Sequence, residues 1–445
     1  MGPAEFIVTP FYLVIILVVG YLIRPNVTDQ LTRRYFIPGL MVKLVGALSL
    51  GLIYQFYYKG GDTLNYYHLG SVHIWRAFLD SPSLAFKLIF LVGKEYESST
   101  FQYASNIISY GDLPTYFVVR VAGLFSLVTF NSYYAISLLF ASLSFSGSWA
   151  LYYAFYKILP NKHFLIALAV LFVPSVFFWG SGLLKDTLTF GAMGWFIFSF
   201  LEIFVHKKRN PVNILVMVIA AYIIYTVKIY IMLSLVPALI IFLFLKTLNS
   251  LKSLALKVIV APFIIGLAIS SGYYAIIMVG EDNARYSIDD FVYTAQTTAE
   301  WLHYVSQIQG GSGYSLGDND YSTAGIMGKF LPAVWVSLYR PYLWESHNLV
   351  MMISAIESFI MLLLSLWIVF KVGFFKTIRS IIASPFVTCL FLFTITFAFA
   401  IGFSTYNFGS LVRYKIPLIP LFLFALILLW EKATNFRSRA IGISI

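Results

Sequence analysis

The chain has 445 residues, of which 60% are hydrophobic, 18% aromatic and only 11% charged, with a formal net charge of +11. A soluble domain carries roughly a quarter of charged residues, so this composition excludes a soluble globular protein and predicts an all-α, polytopic bundle of membrane-spanning helices. Its excess of Lys and Arg is then a matter of loop placement and not of a nucleic-acid partner.

Apolar runs near the roughly 20 residues that cross about 30 Å of hydrocarbon place spans at about 6–23, 37–57, 132–156, 164–179, 187–204, 212–227, 229–246, 256–279, 349–370, 383–403 and 412–430, or about eleven spans. The first lacks a basic stretch before it and a small-residue cleavage pattern after it, and is read as a retained span, not a signal peptide. Cys389, the single cysteine, lies inside an apolar run, which excludes an intrachain disulfide and a Cys-based metal site.

Loop charge fixes the orientation. Arg24, Arg33 and Arg34; Lys157 and Lys162; Lys207, Lys208 and Arg209; Lys246, Lys252 and Lys257; Lys371, Lys376 and Arg379; and Lys432, Arg437 and Arg439 all fall on one face. The bias of basic residues toward the cytoplasm makes that face internal, with the N-terminus outside and the C-terminus inside. The assignment requires Tyr116–Phe130 to be interfacial or re-entrant. The chain is then one integral domain, 1–445, with two long outer connections, about 58–131 and 280–348.

Most acidic residues fall on the outer side, among them Asp62, Asp80, Glu95, Glu97, Asp112, Asp186, Glu300 and Glu345. The first connection reads as helices lying along the membrane, with Leu64, Tyr67, Val72, Trp75 and Leu79 near helical spacing. The second contains Gly310-Gly311-Ser312-Gly313 and Gly317-Asp318-Asn319-Asp320, too glycine-rich for a stable helix. It is either a mobile lid that orders over a substrate or a surface loop.

Three outer positions carry candidate chemistry. Asp62, after Gly60-Gly61, is a general base held at the bilayer surface or a cap for the next helix. Lys185-Asp186 follows a Gly-Ser-Gly turn that gives a ligand room; here capping and interfacial snorkelling compete with a catalytic role. Arg413 and Lys415, in Arg-Tyr-Lys-Ile-Pro, stand against the positive-inside bias, and Arg suits phosphate bidentately. Arg340 and Glu345 form a similar cluster. His68 and His73 are five residues apart, off the adjacent-turn spacing of a two-histidine metal site. Lys43 and Glu357, inside spans, are relay groups of a transporter or interhelical pairs.

This layout resembles the C-type (GT-C) superfamily of polytopic glycosyltransferases, which use polyprenyl-phosphate-linked sugars. The resemblance covers about residues 37–430: an Asp just after a span in the first outer loop (Asp62), a helical first loop, a second acidic turn (Asp186), and a basic residue at the outer edge of a late span (Arg413). The extra span 6–23 and the lone Asp62-Thr63, where several subfamilies have paired acids, depart from it. The resemblance implies catalytic roles for Asp62 and Asp186, with Arg413, Lys415, Lys185 and Arg340 meeting the donor phosphate. It implies a polyprenyl-phosphate sugar, membrane lipid and a glycan, lipid or protein acceptor as partners. No cofactor is required, a divalent metal is compatible, and no metal ligand is assigned. A bacterial inner membrane fits this layout. A lipid-linked glycan polymerase or ligase would use the same groups. A transporter or flippase would place ionisable groups near the midplane on broken helices.

Overall fold

The computed structural model describes residues 5–90, 95–250, 296–297, 300–301, 304, 313–317 and 322–440. The protein is an all-α membrane protein. Among the described residues the only β-type pairing is an isolated bridge between Gly313 and Asn407. Seven described helices are long and apolar enough to cross a membrane, or eight if a bent pair near the C-terminus is one span.

The difference from about eleven expected spans has local causes. Expected spans 212–227 and 229–246 form one 40-residue element, Pro211–Ser250, broken at Lys228, whose φ of −148° and ψ of 73° are not helical. Expected span 164–179 is two short helices, His163–Leu171 and Pro174–Trp179. Pro174 accounts for the break, because the residue before a proline is pushed out of the α region, and Val173 sits at ψ 123°. Expected span 412–430 is the pair Phe408–Tyr414 and Leu418–Lys432, bent by 62°, with Pro417 at the joint. Span 256–279 lies outside the described residues, as do most of the glycine-rich stretch and its acids.

The described helices group into two compact units, Met1–Ile229 and Tyr230–Ile445. In the first, Tyr133–Ile158 is the central helix and packs against Lys185–Phe200 and Arg33–Leu52. The closest approach is glycine against glycine. A Cβ on Gly147 would lie 1.8 Å from the Gly191 carbonyl oxygen, and one on Gly194 would lie 2.0 Å from that of Gly147. Backbones this near exploit the small-residue packing by which membrane helices associate without a hydrophobic driving force. Glu5 holds the start of the central helix, accepting from the Tyr133 N–H at 2.7 Å and the Ser132 hydroxyl at 2.6 Å. A carboxylate there also suits the positive end of the helix dipole.

Between Lys59 and Asn131 the chain forms short helices. The apolar stretch expected to lie along or re-enter the membrane is the 16-residue helix Leu113–Val128, roughly 24 Å long and short of a span. It is fastened to Pro82–Phe90: the Tyr116 hydroxyl donates to the Leu88 carbonyl at 2.6 Å, and Arg120 Nε donates to that of Ile89. Those carbonyls belong to the last turn of a helix and have no partner within it.

In the second unit, Pro385–Thr405 packs against Thr323–Tyr339 and Leu418–Ala440, and Leu349–Val372 packs on the last of these. Phe393, Phe397, Phe403, Phe408 and Phe424 are its fully buried aromatics. Thr323–Tyr339 lies within the expected outer connection 280–348, after its glycine-rich stretch, and is apolar but shorter than a span.

Candidate functional site

Asp62 stands where the Arg33–Leu52 helix, after a π turn over Ile53–Tyr58, releases the chain. The exit uses two left-handed residues, Lys59 at φ 54° and Gly61 at φ 108°. Gly61 occupies the cap position and Asp62 is the first helical residue of Asp62–Tyr66. A Cβ on Gly61 would meet the Tyr54 ring at 2.8 Å, so both backbone angle and space demand glycine there. The half-buried Asp62 is followed by buried Thr63, whose hydroxyl accepts from the Tyr133 hydroxyl at 2.8 Å. A second π turn covers Tyr67–Ser71, and such turns recur at functional sites. Within it His68 is exposed, and beyond it burial and then Arg76 hold the half-buried His73 imidazole below its usual range.

Lys185 and Asp186 open the helix Lys185–Phe200 as its first two residues, after the cap residue Leu184. Asp186 is only 2% exposed. Its Oδ1 accepts from the ammonium of Lys228 at the break in Pro211–Ser250, and the Lys228 side chain is 7% exposed. Lys185 turns to the other side, its Nζ lying 3.8 Å from Asp112. The preceding Gly180-Ser181-Gly182 turn is itself held. Lys43, fully buried on Arg33–Leu52, donates to the Gly180 carbonyl at 2.7 Å, the Val176 carbonyl at 3.3 Å and the Ser144 hydroxyl at 3.1 Å. Buried charge is tolerated only with such partners. The opposite end of the element carries another ion pair, Glu202 Oε1 to Lys157 Nζ at 2.7 Å.

The second unit assembles its own charged group. Arg340 ends the helix Thr323–Tyr339 and forms a fork with Glu345: Nε lies 3.1 Å from each carboxylate oxygen, and Nη2 donates to Oε1. The guanidinium faces the rings of Phe408, Tyr342 and Tyr314 at 5.0, 5.5 and 5.9 Å. Lys415, in the joint after Phe408–Tyr414, is fully buried, and its Nζ donates to the Ser358 hydroxyl at 2.7 Å and the Arg340 carbonyl at 3.1 Å. Glu357, also buried, precedes Ser358 on the Leu349–Val372 helix. Arg413 is half-buried, 5.5 Å from the Tyr414 ring. Within the expected glycine-rich loop, Tyr314 is docked: its hydroxyl donates to the Gly402 carbonyl at 2.8 Å and its ring stacks on Tyr406.

Of the residues singled out in the sequence, Lys185 and Asp186 adjoin at one helix start in the first unit but meet different partners, Asp112 and Lys228, with Asp62 at a separate helix start there. Arg340 and Lys415 share one in the second. Lys228 was not singled out, although it is the one charged residue between Arg209 and Lys246. Among the described residues no three His, Cys, Asp or Glu side chains are grouped to hold a metal ion. No family model, curated protein or solved structure matches the chain.

Proposed function

We propose that the protein is a membrane glycosyltransferase that moves a sugar from a polyprenyl-phosphate donor to an acceptor hydroxyl on the extracytoplasmic side. The observation that carries this reading is the Asp186–Lys228 pair, buried where one helix begins and where a 40-residue element breaks. Lys228 divides a 40-residue apolar element into pieces of roughly 25 and 33 Å, each about one membrane thickness. Asp186 stands at the start of an element whose other end carries Glu202, paired there with Lys157 of the Tyr133–Ile158 helix. Charge placed at the two ends of a membrane-length segment supports chemistry at a surface. A transporter collects it at the centre of broken helices.

Asp62 takes the role of base. It is half-buried at a chain exit, whereas Asp186 is committed to an ammonium and fixes the start of its helix. The acceptor proton passes to the carboxylate, the hydroxyl oxygen bonds to the anomeric carbon, and the bond to phosphate oxygen breaks with its electron pair staying on phosphate. One displacement inverts the anomeric centre. Phosphate leaves as a stable anion, so it needs cations more than a proton donor. Lys185 in the first unit and Arg340 and Arg413 in the second have that chemistry, while Lys415 supports the backbone of Arg340.

The reading is tested with purified protein, a labelled polyprenyl-phosphate sugar and glycan, lipid and protein acceptors. Transfer should occur with wild type and fall sharply in Asp62→Asn. Undiminished transfer by the folded mutant removes Asp62 from its role, and no transfer to any acceptor by wild type removes the reading.

A further inference from the structure

The ion pair in the second unit has unequal halves. Arg340 is anchored through its backbone: its carbonyl accepts from the Ser358 hydroxyl and from Lys415 Nζ, each at 3.1 Å. The same hydroxyl takes a bond from Lys415 at 2.7 Å, closing a buried triangle. Three aromatic faces flank the guanidinium. Glu345, in contrast, sits on the three-residue turn Leu343–Glu345, whose neighbours Tyr342 and Ser346 are extended. That turn exposes Trp344 by 78%; the Tyr342 N–H donates to Glu345 at 2.7 Å, and the segment is tied to the preceding helix through the Tyr342 hydroxyl, which accepts from Trp335 Nε1 at 2.7 Å, and not through Glu345. The pair stays accessible, with side chains 20% and 18% exposed.

A guanidinium fork matches carboxylate and phosphate equally well, through two parallel N–H bonds. We infer that Glu345 is an internal anion that occupies the Arg340 fork until the phosphate of a phosphorylated lipid displaces it. The inference rests on the donor reading above and deepens it. Arg340 becomes the phosphate-recognising group, Lys415 and Ser358 its backbone anchor, and Glu345 the residue that sets donor affinity. While the fork is filled, the positive charge near the apolar helices stays neutralised. Displacement frees Glu345 to swing out with its short turn, whereas Arg340 stays where its carbonyl is tied.

The sign of one substitution separates this role from a structural one. Full-length protein in lipid nanodiscs is exposed to inorganic phosphate at constant ionic strength, and separately to a fluorescent polyprenyl monophosphate with polyprenol as the uncharged control. Glu345→Gln keeps an acceptor for the Tyr342 N–H but gives up the charge. It should bind polyprenyl phosphate roughly fivefold tighter than wild type, the size of a partly exposed ion pair, and gain more thermal stability from phosphate. Arg340→Gln should lose both responses. Glu345→Asp, one methylene shorter, should show a smaller gain, and it serves if Glu345→Gln does not fold. Equal or weaker binding of both probes by the folded variants overturns the inference, because a carboxylate that merely props the turn gives that result. A phosphate response of the expected sign, with polyprenyl phosphate binding no better than polyprenol, leaves the Glu345 role standing and removes the lipid donor.

Discussion

Lys228, at the break in a 40-residue apolar helix, donates its ammonium to Asp186, which lies 42 residues earlier at the start of another helix. Both are buried. Removing one partner leaves the other charge stranded, which costs about 3–5 kcal/mol. Lys228→Met and Asp186→Asn should each lower the melting temperature in detergent well below wild type. The double variant should recover much of that loss, since two neutral side chains leave no uncompensated charge. Additive losses in the double variant would show that the two side chains do not act as a pair.

Asp62 should behave differently. The cap position belongs to Gly61, so Asp62→Asn removes charge without removing the cap and should cost at most about 1 kcal/mol of stability. Transfer should fall by about 10²–10⁴, the usual contribution of a general base. Gly61→Ala meets Tyr54 and a φ of 108°, so it should cost about 1–3 kcal/mol and lower transfer as well. Thermal unfolding and a single-turnover assay separate the two.

How far these features were legible in the sequence depends on how locally they are encoded. Spans follow from composition over about twenty residues, and most helices stand where the apolar runs are. Pro174 and Pro417 sit at interruptions that hydropathy averages away. Lys228 was visible as an isolated charge, but nothing local says that it meets Asp186. Lys43 was visible too, yet its partners lie 101 to 137 residues later in the chain. The helix Thr323–Tyr339 is apolar but shorter than a span, so a search for membrane-length runs passes over it. Likewise, Arg340 and Lys415 read alike as cations, and only tertiary packing separates the accessible guanidinium from the buried ammonium.

Lys43 gives a third prediction. Its ammonium satisfies carbonyls at the end of Pro174–Trp179 and at Gly180. Lys43→Met fills similar volume but leaves these acceptors without that donor, at about 1–3 kcal/mol. Because they hold the turn before Lys185, proteolysis at 180–184 should accelerate in the variant relative to wild type at matched temperature. An unchanged cleavage rate there would show that the turn is held by other contacts.

The glycine contact between the Tyr133–Ile158 and Lys185–Phe200 helices is the fourth. A methyl group at Gly147 or Gly194 meets backbone oxygen, not a flexible side chain, so relief requires the helices to separate. Gly147→Ala and Gly194→Ala should each cost more than the roughly 1–3 kcal/mol of ordinary overpacking, and Gly194→Leu should prevent accumulation of folded protein. Gly111 and Gly328, with open space around the added atom, are the controls, and Ala at either should leave the detergent melting curve within a degree or two. Destabilisation of the same size at the controls would refute the close-contact explanation.

Asp29 gives the first unit an acid-sensitive contact. Burial pushes its carboxyl upward, but bonds from the Thr32 N–H, the Tyr156 hydroxyl, the Thr32 hydroxyl and the Leu31 N–H outweigh this and leave it below its usual range. The Thr32 and Leu31 N–H bonds measure 2.8 and 3.0 Å. A carboxyl depressed in the fold binds fewer protons there than in the unfolded chain, so its stabilisation is fully present above the unfolded value near 3.9 and disappears as pH falls through the folded value. Wild type should therefore lose stability below about pH 4, and Asp29→Asn should lose less over that interval while starting about 1 kcal/mol lower at neutral pH. Melting curves of both proteins from pH 7 to pH 3 measure this, and parallel losses would mean that the Asp29 carboxyl is not what titrates.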